Sequence, residues 1–382
     1  MTASLAATPG AVRIGVTGPR GFIAGRLIER INRESGCESI ALPRSAWEDP
    51  AALDRFVAGC QVVVHLAGMN RGEPAELESG NAALAEGLAE ACRRTGATPH
   101  IVYASTTQRD TETPYGRGKR AAEETLAEWA NSVEAALTTL VIPNVYGAGC
   151  RPYYNSVVAT FCHQLTHGET PRIEQDRLVE FVWVNDLVEQ IIEVSLGPAP
   201  GQPTLQRIVG GAKLRVSELL ATLDAFRADY FDRDVVPDIT SPLRASLYST
   251  FLSYVELDDH RHSPPLHTDD RGALCEVIKT SAGGQVFFST TKPGVIRGNH
   301  YHTRKVEWFC VVRGDAAIRL RRVGDDAVKE FRVSGDRPEF ISIPVLHTHS
   351  IENVGDDELL TMFWCNEVFD ASDADTHFEK VA

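Results

Sequence analysis

The chain has 382 residues, 43% of them hydrophobic and 24% charged, with a formal net charge of −14. That length supports two or three domains with real cores, and the acidic balance argues against a nucleic-acid partner or an anionic membrane surface, which need a basic face. No run approaches the roughly 18 apolar residues of a membrane span, the start lacks a signal peptide's cationic and apolar regions, and eight scattered cysteines without a Cys-x-x-Cys pair read as reduced, cytoplasmic thiols.

From about residue 11 to 145, short apolar runs alternate with helical patterns. Val12–Val16, Gln61–Leu66, His100–Ala104 and Leu137–Ile142 are rich in β-branched residues and predict buried parallel strands. Ile23/Leu27/Ile31 and Leu84/Leu88 recur at helical spacing between them. This alternation predicts a doubly wound α/β sheet of Rossmann type.

Val16-Thr17-Gly18-Pro19-Arg20-Gly21-Phe22-Ile23-Ala24 follows the first strand and opens the first helix. Gly18 permits the tight turn, Gly21 lets backbone amides approach a pyrophosphate at the helix N-terminus, and Ala24 is small enough for close packing. After the second predicted strand, Ser39–Leu42, comes Pro43-Arg44-Ser45, with no acidic residue to chelate ribose hydroxyls. Arg44, and Arg20 inside the turn, instead suit a 2′-phosphate, which favours NADP(H) over NAD.

Tyr115-Gly-Arg-Gly-Lys119 sets a phenol and an ammonium four apart on one helix face. A cation there is expected to lower the phenol pKa toward that of a working proton donor. Just upstream, Ser105-Thr106-Thr107 ends a strand with hydroxyls that can meet a substrate carbonyl. These residues, with His65-Leu66-Ala67-Gly68, Pro143-Asn144-x-Tyr146-Gly147 and Val184-Asn185-Asp186, resemble the extended short-chain dehydrogenase/reductase superfamily over residues 11–245. The resemblance implies that Thr17, Gly18, Arg20, Gly21, Phe22, Ile23, Leu66, Ala67, Gly68, Tyr115 and Lys119 bind the dinucleotide. It also implies that Thr106 polarises a carbonyl, Tyr115 protonates it and Lys119 assists. Members that dehydrate nucleotide sugars follow the threonine with acidic residues. Thr107-Gln108 stand there instead, so keto reduction fits better than 4,6-dehydration.

Residues 150–245 are more irregular, with a helix expected at Val216–Tyr230, and read as a substrate-covering lobe rather than more of the central sheet. From about 251 the texture is strand- and turn-rich. Runs such as Val306–Arg313 and Ala316–Arg322, punctuated by glycine pairs, predict an antiparallel barrel or jelly roll. The expected domains are therefore 1–250 and 251–382.

His300 and His302, one residue apart on a strand, point the same way. Glu307 and a distant histidine complete a three-nitrogen, one-oxygen set that suits zinc, iron, nickel or manganese better than calcium. His349 is the fourth member, with His347 of the same strand parity its rival. Gly294-x5-His300-x-His302-x4-Glu307-x6-Gly314 resembles the first cupin motif. Pro344-x4-His349-x3-Asn353 resembles the second, with Leu346 where a glycine is usual. Asp270-Arg271-Gly272-x3-Glu276 is similar to the segment that enters the pocket in cupin-type sugar epimerases.

A ketone at C4 of a sugar acidifies the C3 hydrogen, so a base beside a Lewis acid can invert C3 before a hydride traps the ketone. Lys292, Glu276 and His347 are the candidate bases, with Lys292 retained among the catalytic residues. Nearly end to end, including His65 to Arg71, Tyr153 to Cys162, Leu247 to Tyr254 and Asn366-Glu367, the chain resembles the CapF-type family of capsular polysaccharide synthesis enzymes. That family implies zinc in the cupin, NADPH in the reductase and a homodimer. It implies conversion of a UDP-2-acetamido-2,6-dideoxy-4-hexulose to UDP-2-acetamido-2,6-dideoxy-L-talose, in the UDP-N-acetyl-L-fucosamine pathway, or a related reaction. The alternatives are a 4-keto reductase with a metal-free or dimerising cupin, and a non-enzymatic NADP or sugar sensor.

Overall fold

The computed structural model describes residues 10–263, 267–269, 272–274, 279–280, 285–367 and 372–382, with backbone alone between 264 and 285. Asp270, Arg271 and Glu276, assigned to the barrel pocket from sequence, lie outside the described residues. The chain forms two compact units, Met1–Val145 with Glu180–Lys213 and Tyr146–Val179 with Leu214–Ala382.

In the first unit, β1 (Val12–Thr17), β2 (Cys37–Leu42), β3 (Val62–His65), β4 (His100–Thr106), β5 (Leu137–Ile142) and β6 (Thr204–Arg207) form one parallel sheet. Its order is β2-β1-β3-β4-β5-β6. Alternation along the strands sends each face to its own core. Val63, Ile101, Tyr103 and Leu137 pack against α2 (Pro50–Ala58), α3 (Pro74–Thr95) and α4 (Pro114–Val133). Ile14, Val16, Val64, Val102 and Leu140 pack against α1 (Phe22–Ile31) and α5 (Val184–Leu196). The strands are apolar on both faces because both are covered. β6 departs from the expectation that nothing after 150 joins the central sheet: Thr204–Arg207 pairs with β5. Its residues are all exposed, so it carries no apolar signal.

The second unit has helices at Val157–Thr166, Val216–Arg227 and Pro242–Leu252, more helix than the irregular sequence suggested. Two five-stranded antiparallel sheets follow, the jelly-roll arrangement. One runs β7 (Arg261–His262), β13 (Phe340–Ile343), β10 (Glu307–Arg313), β15 (Leu359–Cys365) and β8 (Gln285–Thr291). The other runs β12 (Val328–Ser334), β11 (Asp315–Arg322), β14 (His347–Asn353), β9 (Ile296–Tyr301) and β16 (His377–Phe378). Phe309, Val311, Ile318, Leu320, Ile341, Ile351 and Phe363 fill the space between the sheets. Glu307 shares strand parity with Phe309 and Val311, and His349 with Ile351, so both point inward.

Candidate active sites

The first site forms at the carboxyl ends of β1, β3 and β4, where strand order reverses and doubly wound sheets bind ligands. Gly18 has φ 67°, and a Cβ there would lie 3.1 Å from the Ala67 Cα; glycine satisfies both constraints. The α1 N-terminus has Gly21 as its cap and no acidic residue in its first turn. Its amides and positive dipole end therefore face no side-chain competitor of their own, as anion binding requires.

Thr17 ties this turn to the segment after β3. Its Oγ1 accepts the Ala67 amide at 2.9 Å and lies 2.9 Å from His65 Nδ1. Burial, then the Lys119 charge, pushes His65 down to about 3, so this buried imidazole is neutral. Leu66 and Ala67 are half-buried and Gly68 is exposed. Phe22 and Ile23 start α1 partly buried against its core. Arg20 and Arg44 are exposed, beyond the paired strand ends Thr17 and Leu42.

Thr106 ends β4, and α4 begins with Thr113 capping the Gly116 amide at 3.1 Å and proline in its first turn. That start places Tyr115 next to Thr106, whose hydroxyl bonds the phenol. The expected lowering of the phenol pKa is not what this geometry gives. Burial raises Tyr115 and the Thr106 bond only partly offsets it. Lys119 spends its ammonium elsewhere: Nζ donates to the Ala104 carbonyl at 2.8 Å and stands 4.9 Å from the centre of the Tyr103 ring. Burial, opposed by Glu123, brings Lys119 down to about 8. Ser105, weighed as a second hydroxyl, instead bonds Glu123.

Glu123 was not singled out from sequence. Buried beneath the site, it takes Arg109 in a bidentate pair at 2.8 and 2.6 Å. It lies four residues after Lys119 on α4, and that spacing was the available signal.

The second site lies inside the barrel. One ligand atom from each of His300, His302, Glu307 and His349 lies within 4.8 Å of the others. Glu307 Oε2 is 3.1 Å from His302 Nε2 and 3.4 Å from His349 Nε2. The His300 and His349 rings are 4.5 Å apart.

A bulge brings His300 inward. Gly298 pairs with Ser350 but His300 pairs with His349, which leaves Asn299 as the extra residue at φ 56°. Were Asn299 instead paired in a regular ladder, His300 would fall opposite Thr348 and face outward. The Gly298-Asn299 pair was the sequence signal, since both types tolerate left-handed backbone.

His302 Nδ1 bonds the Asp375 carbonyl at 2.7 Å and His349 Nδ1 the His347 carbonyl at 3.2 Å. Both rings thus turn Nε2 toward Glu307, the tautomer a metal needs. His349 Nε2 is buried without a hydrogen-bond partner. Burial, then the neighbouring imidazoles of His349 and His302, holds His300 down to about 4. Burial works to raise Glu307, yet its bond to His302 and the imidazole of His349 beside it hold it well below the usual carboxylate range. Three imidazoles around a carboxylate, one of them with a buried nitrogen that makes no hydrogen bond, are a donor set that fits a divalent transition metal.

His347 is buried, with Nδ1 3.0 Å from the Val345 carbonyl, and is not one of the four clustered groups. Lys292 is exposed, in the turn where the Gly294 amide donates to the Asn353 carbonyl. That turn meets β14 at Asn353, four residues along the strand from His349.

Family models match both parts: "NAD dependent epimerase/dehydratase family" over residues 14–203 and "Polysaccharide biosynthesis C-terminal domain" over 267–377. A UDP-2-acetamido-2,6-beta-L-arabino-hexul-4-ose reductase of Pseudomonas aeruginosa is 34% identical over 96% of this chain and 98% of its own. The capsular polysaccharide assembling protein CapF from Staphylococcus aureus superposes with a TM-score of 0.62 at 32% identity, covering 97% of this chain and all (100%) of its own. The chain belongs to the CapF family. About a quarter of the chain (26%) is also similar to the spore coat polysaccharide biosynthesis protein SpsL of Bacillus subtilis, 25% identical over 108 residues and covering 72% of that protein. The CapF family thus joins a nicotinamide-type Rossmann unit to an antiparallel barrel in one polypeptide.

Proposed function

We propose that this chain is a bifunctional nucleotide-sugar enzyme: its barrel epimerises C3 of a UDP-2-acetamido-2,6-dideoxy-4-hexulose and its Rossmann unit reduces the C4 ketone. The product is UDP-2-acetamido-2,6-dideoxy-L-talose or a related sugar. The supporting observation is that one chain holds both a Thr106–Tyr115–Lys119 set and an inward cluster of three imidazoles with one carboxylate. The Pseudomonas relative, matched nearly end to end, is itself named for reduction of a UDP-hexul-4-ose.

In the Rossmann unit, bound NADPH supplies the hydride, and Arg20 and Arg44 favour the 2′-phosphorylated dinucleotide. Thr106 and Tyr115 hydrogen-bond the C4 oxygen, and Tyr115 donates the proton that balances hydride addition. A raised pKa keeps that phenol protonated at neutral pH, the form needed in the reducing direction. Lys119, on the same helix face, holds the ribose.

In the barrel, His300, His302, Glu307 and His349 would hold zinc or a similar divalent ion, whose Lewis acidity acts on a sugar oxygen. The surrounding apolar wall of Phe309 and Phe363 limits water. We further propose that the enzyme is cytoplasmic and works as a homodimer; among the described residues no helix is long and apolar enough to cross a membrane.

The decisive experiment combines NADPH oxidation with exchange of the C3 hydrogen in deuterated water. Tyr115→Phe should abolish oxidation and leave exchange intact, and His300→Ala should do the reverse on a substrate already inverted at C3. Loss of both activities in either folded variant would sink the two-site division.

A further inference from the structure

Asp375 lies far from the barrel motifs in sequence, yet it bonds three of the four residues between His302 and Glu307. It is buried and left-handed, with φ 43°, a conformation aspartate tolerates better than most residues. Its carboxylate takes three successive amides of the loop joining His302 to Glu307: Thr303 at 3.1 Å, Arg304 at 2.9 Å and Lys305 at 3.0 Å. The Thr303 hydroxyl adds a fourth bond at 2.6 Å. Converging amides of this kind bind an anion, and here the anion is built in. The next amide, Val306, bonds Asn366 Oδ1 at 2.9 Å, which completes the loop's backbone pairing.

The same residue's carbonyl accepts from His302 Nδ1 at 2.7 Å. One residue thus fixes both the path of the chain from His302 to Glu307 and the ring orientation of His302. The tail beyond it continues the task. Glu379 and Val381 amides bond the carbonyl and side chain of bulged Asn299 at 2.9 and 3.2 Å, and β16 pairs with His300 and Tyr301.

We infer that Asp375 is a positioning residue for the barrel centre, setting metal affinity and ligand geometry through His302 and the 303–305 loop. This inference rests on the metal reading of the cluster. An outer group that orients a ligating histidine changes affinity by about 10–100-fold when lost. Asparagine keeps the left-handed backbone and the carbonyl but offers one acceptor oxygen where the loop uses two.

The test uses the full chain loaded with Co(II) alone, read by chelator competition and by its visible ligand-field bands. Asp375→Asn should weaken Co(II) binding about 10–100-fold and shift the bands. Asp373→Asn, which removes only an exposed ion pair with Arg304, should change neither. If Asp375→Asn does not fold, Thr303→Ala, which deletes one of the four donors, should move affinity in the same direction by a smaller factor. Unchanged affinity and bands in Asp375→Asn or in folded Thr303→Ala, with only a lower melting temperature, overturn the inference and leave the metal reading standing. No Co(II) binding by the unsubstituted protein, or unaltered binding by His300→Ala, overturns the metal reading and the inference with it.

Discussion

Gly118 of α4 lies so close to Leu77 of α3 that a Cβ on the glycine would stand 2.5 Å from the leucine carbonyl oxygen. This contact explains a residue that the Tyr-x-x-x-Lys spacing leaves free. Gly118→Ala must push α4 away from α3 and carry Lys119 with it. A melting curve should show a loss of about 1–3 kcal/mol, together with reduced NADPH turnover. Gly87→Ala, also inside a helix but with its nearest neighbour at 3.6 Å, should instead gain up to about 1 kcal/mol. Equal stabilisation by the two changes would contradict the contact.

The Arg109–Glu123 pair gives a second test. Glu123→Gln leaves Arg109 without its bidentate partner beside a buried wall, and denaturant titration should record a loss of about 2–4 kcal/mol. Replacing both residues with methionine should recover part of it. Additive losses in the double variant would mean that the two side chains act independently.

Lys119 supplies the pH dependence. Its pKa is lowered from 10.5 to about 8 by burial, so between these values the unfolded chain binds the proton that the folded chain releases. Stability attributable to this group therefore rises with pH across that window, by up to about 3 kcal/mol at 1.36 kcal/mol per unit. The difference in unfolding free energy between the wild-type protein and Lys119→Met isolates the effect. It should move in favour of wild type from pH 8 to 10; a flat difference would argue against a buried, destabilised ammonium.

Zinc should stabilise the barrel. An ion present at about 100 times its dissociation constant adds about 2.7 kcal/mol to the state that binds it. Calorimetry with and without a chelator should show an upward shift in melting on zinc addition. His349→Ala should remove that shift, and an undiminished response there would place the ion elsewhere.

Much of this molecule is legible in its residues. Val62 to His65 and Leu137 to Ile142 are apolar on both faces, so they announce buried parallel strands. His300, His302, Glu307 and His349 converge because period two and the turn between strands constrain them. Other features were hidden for physical reasons. The edge strand Thr204–Arg207 is exposed throughout and looks like loop. The upward shift of the Tyr115 phenol is hidden because spacing shows that a lysine shares its face, but not that the ammonium bonds Ala104 or that burial dominates. Glu123 and Asp375 act through partners 14 and about 70 residues away, and no local pattern reports such contacts.

The bulge at Asn299 has a consequence for how this barrel can change over time. The extra residue is slack in the strand: removing one residue around it takes up the bulge and leaves His300 opposite His349, with its facing unchanged. A one-residue deletion here is thus absorbed by the pairing register, whereas the same change in an unbulged strand would move every later side chain to the other face.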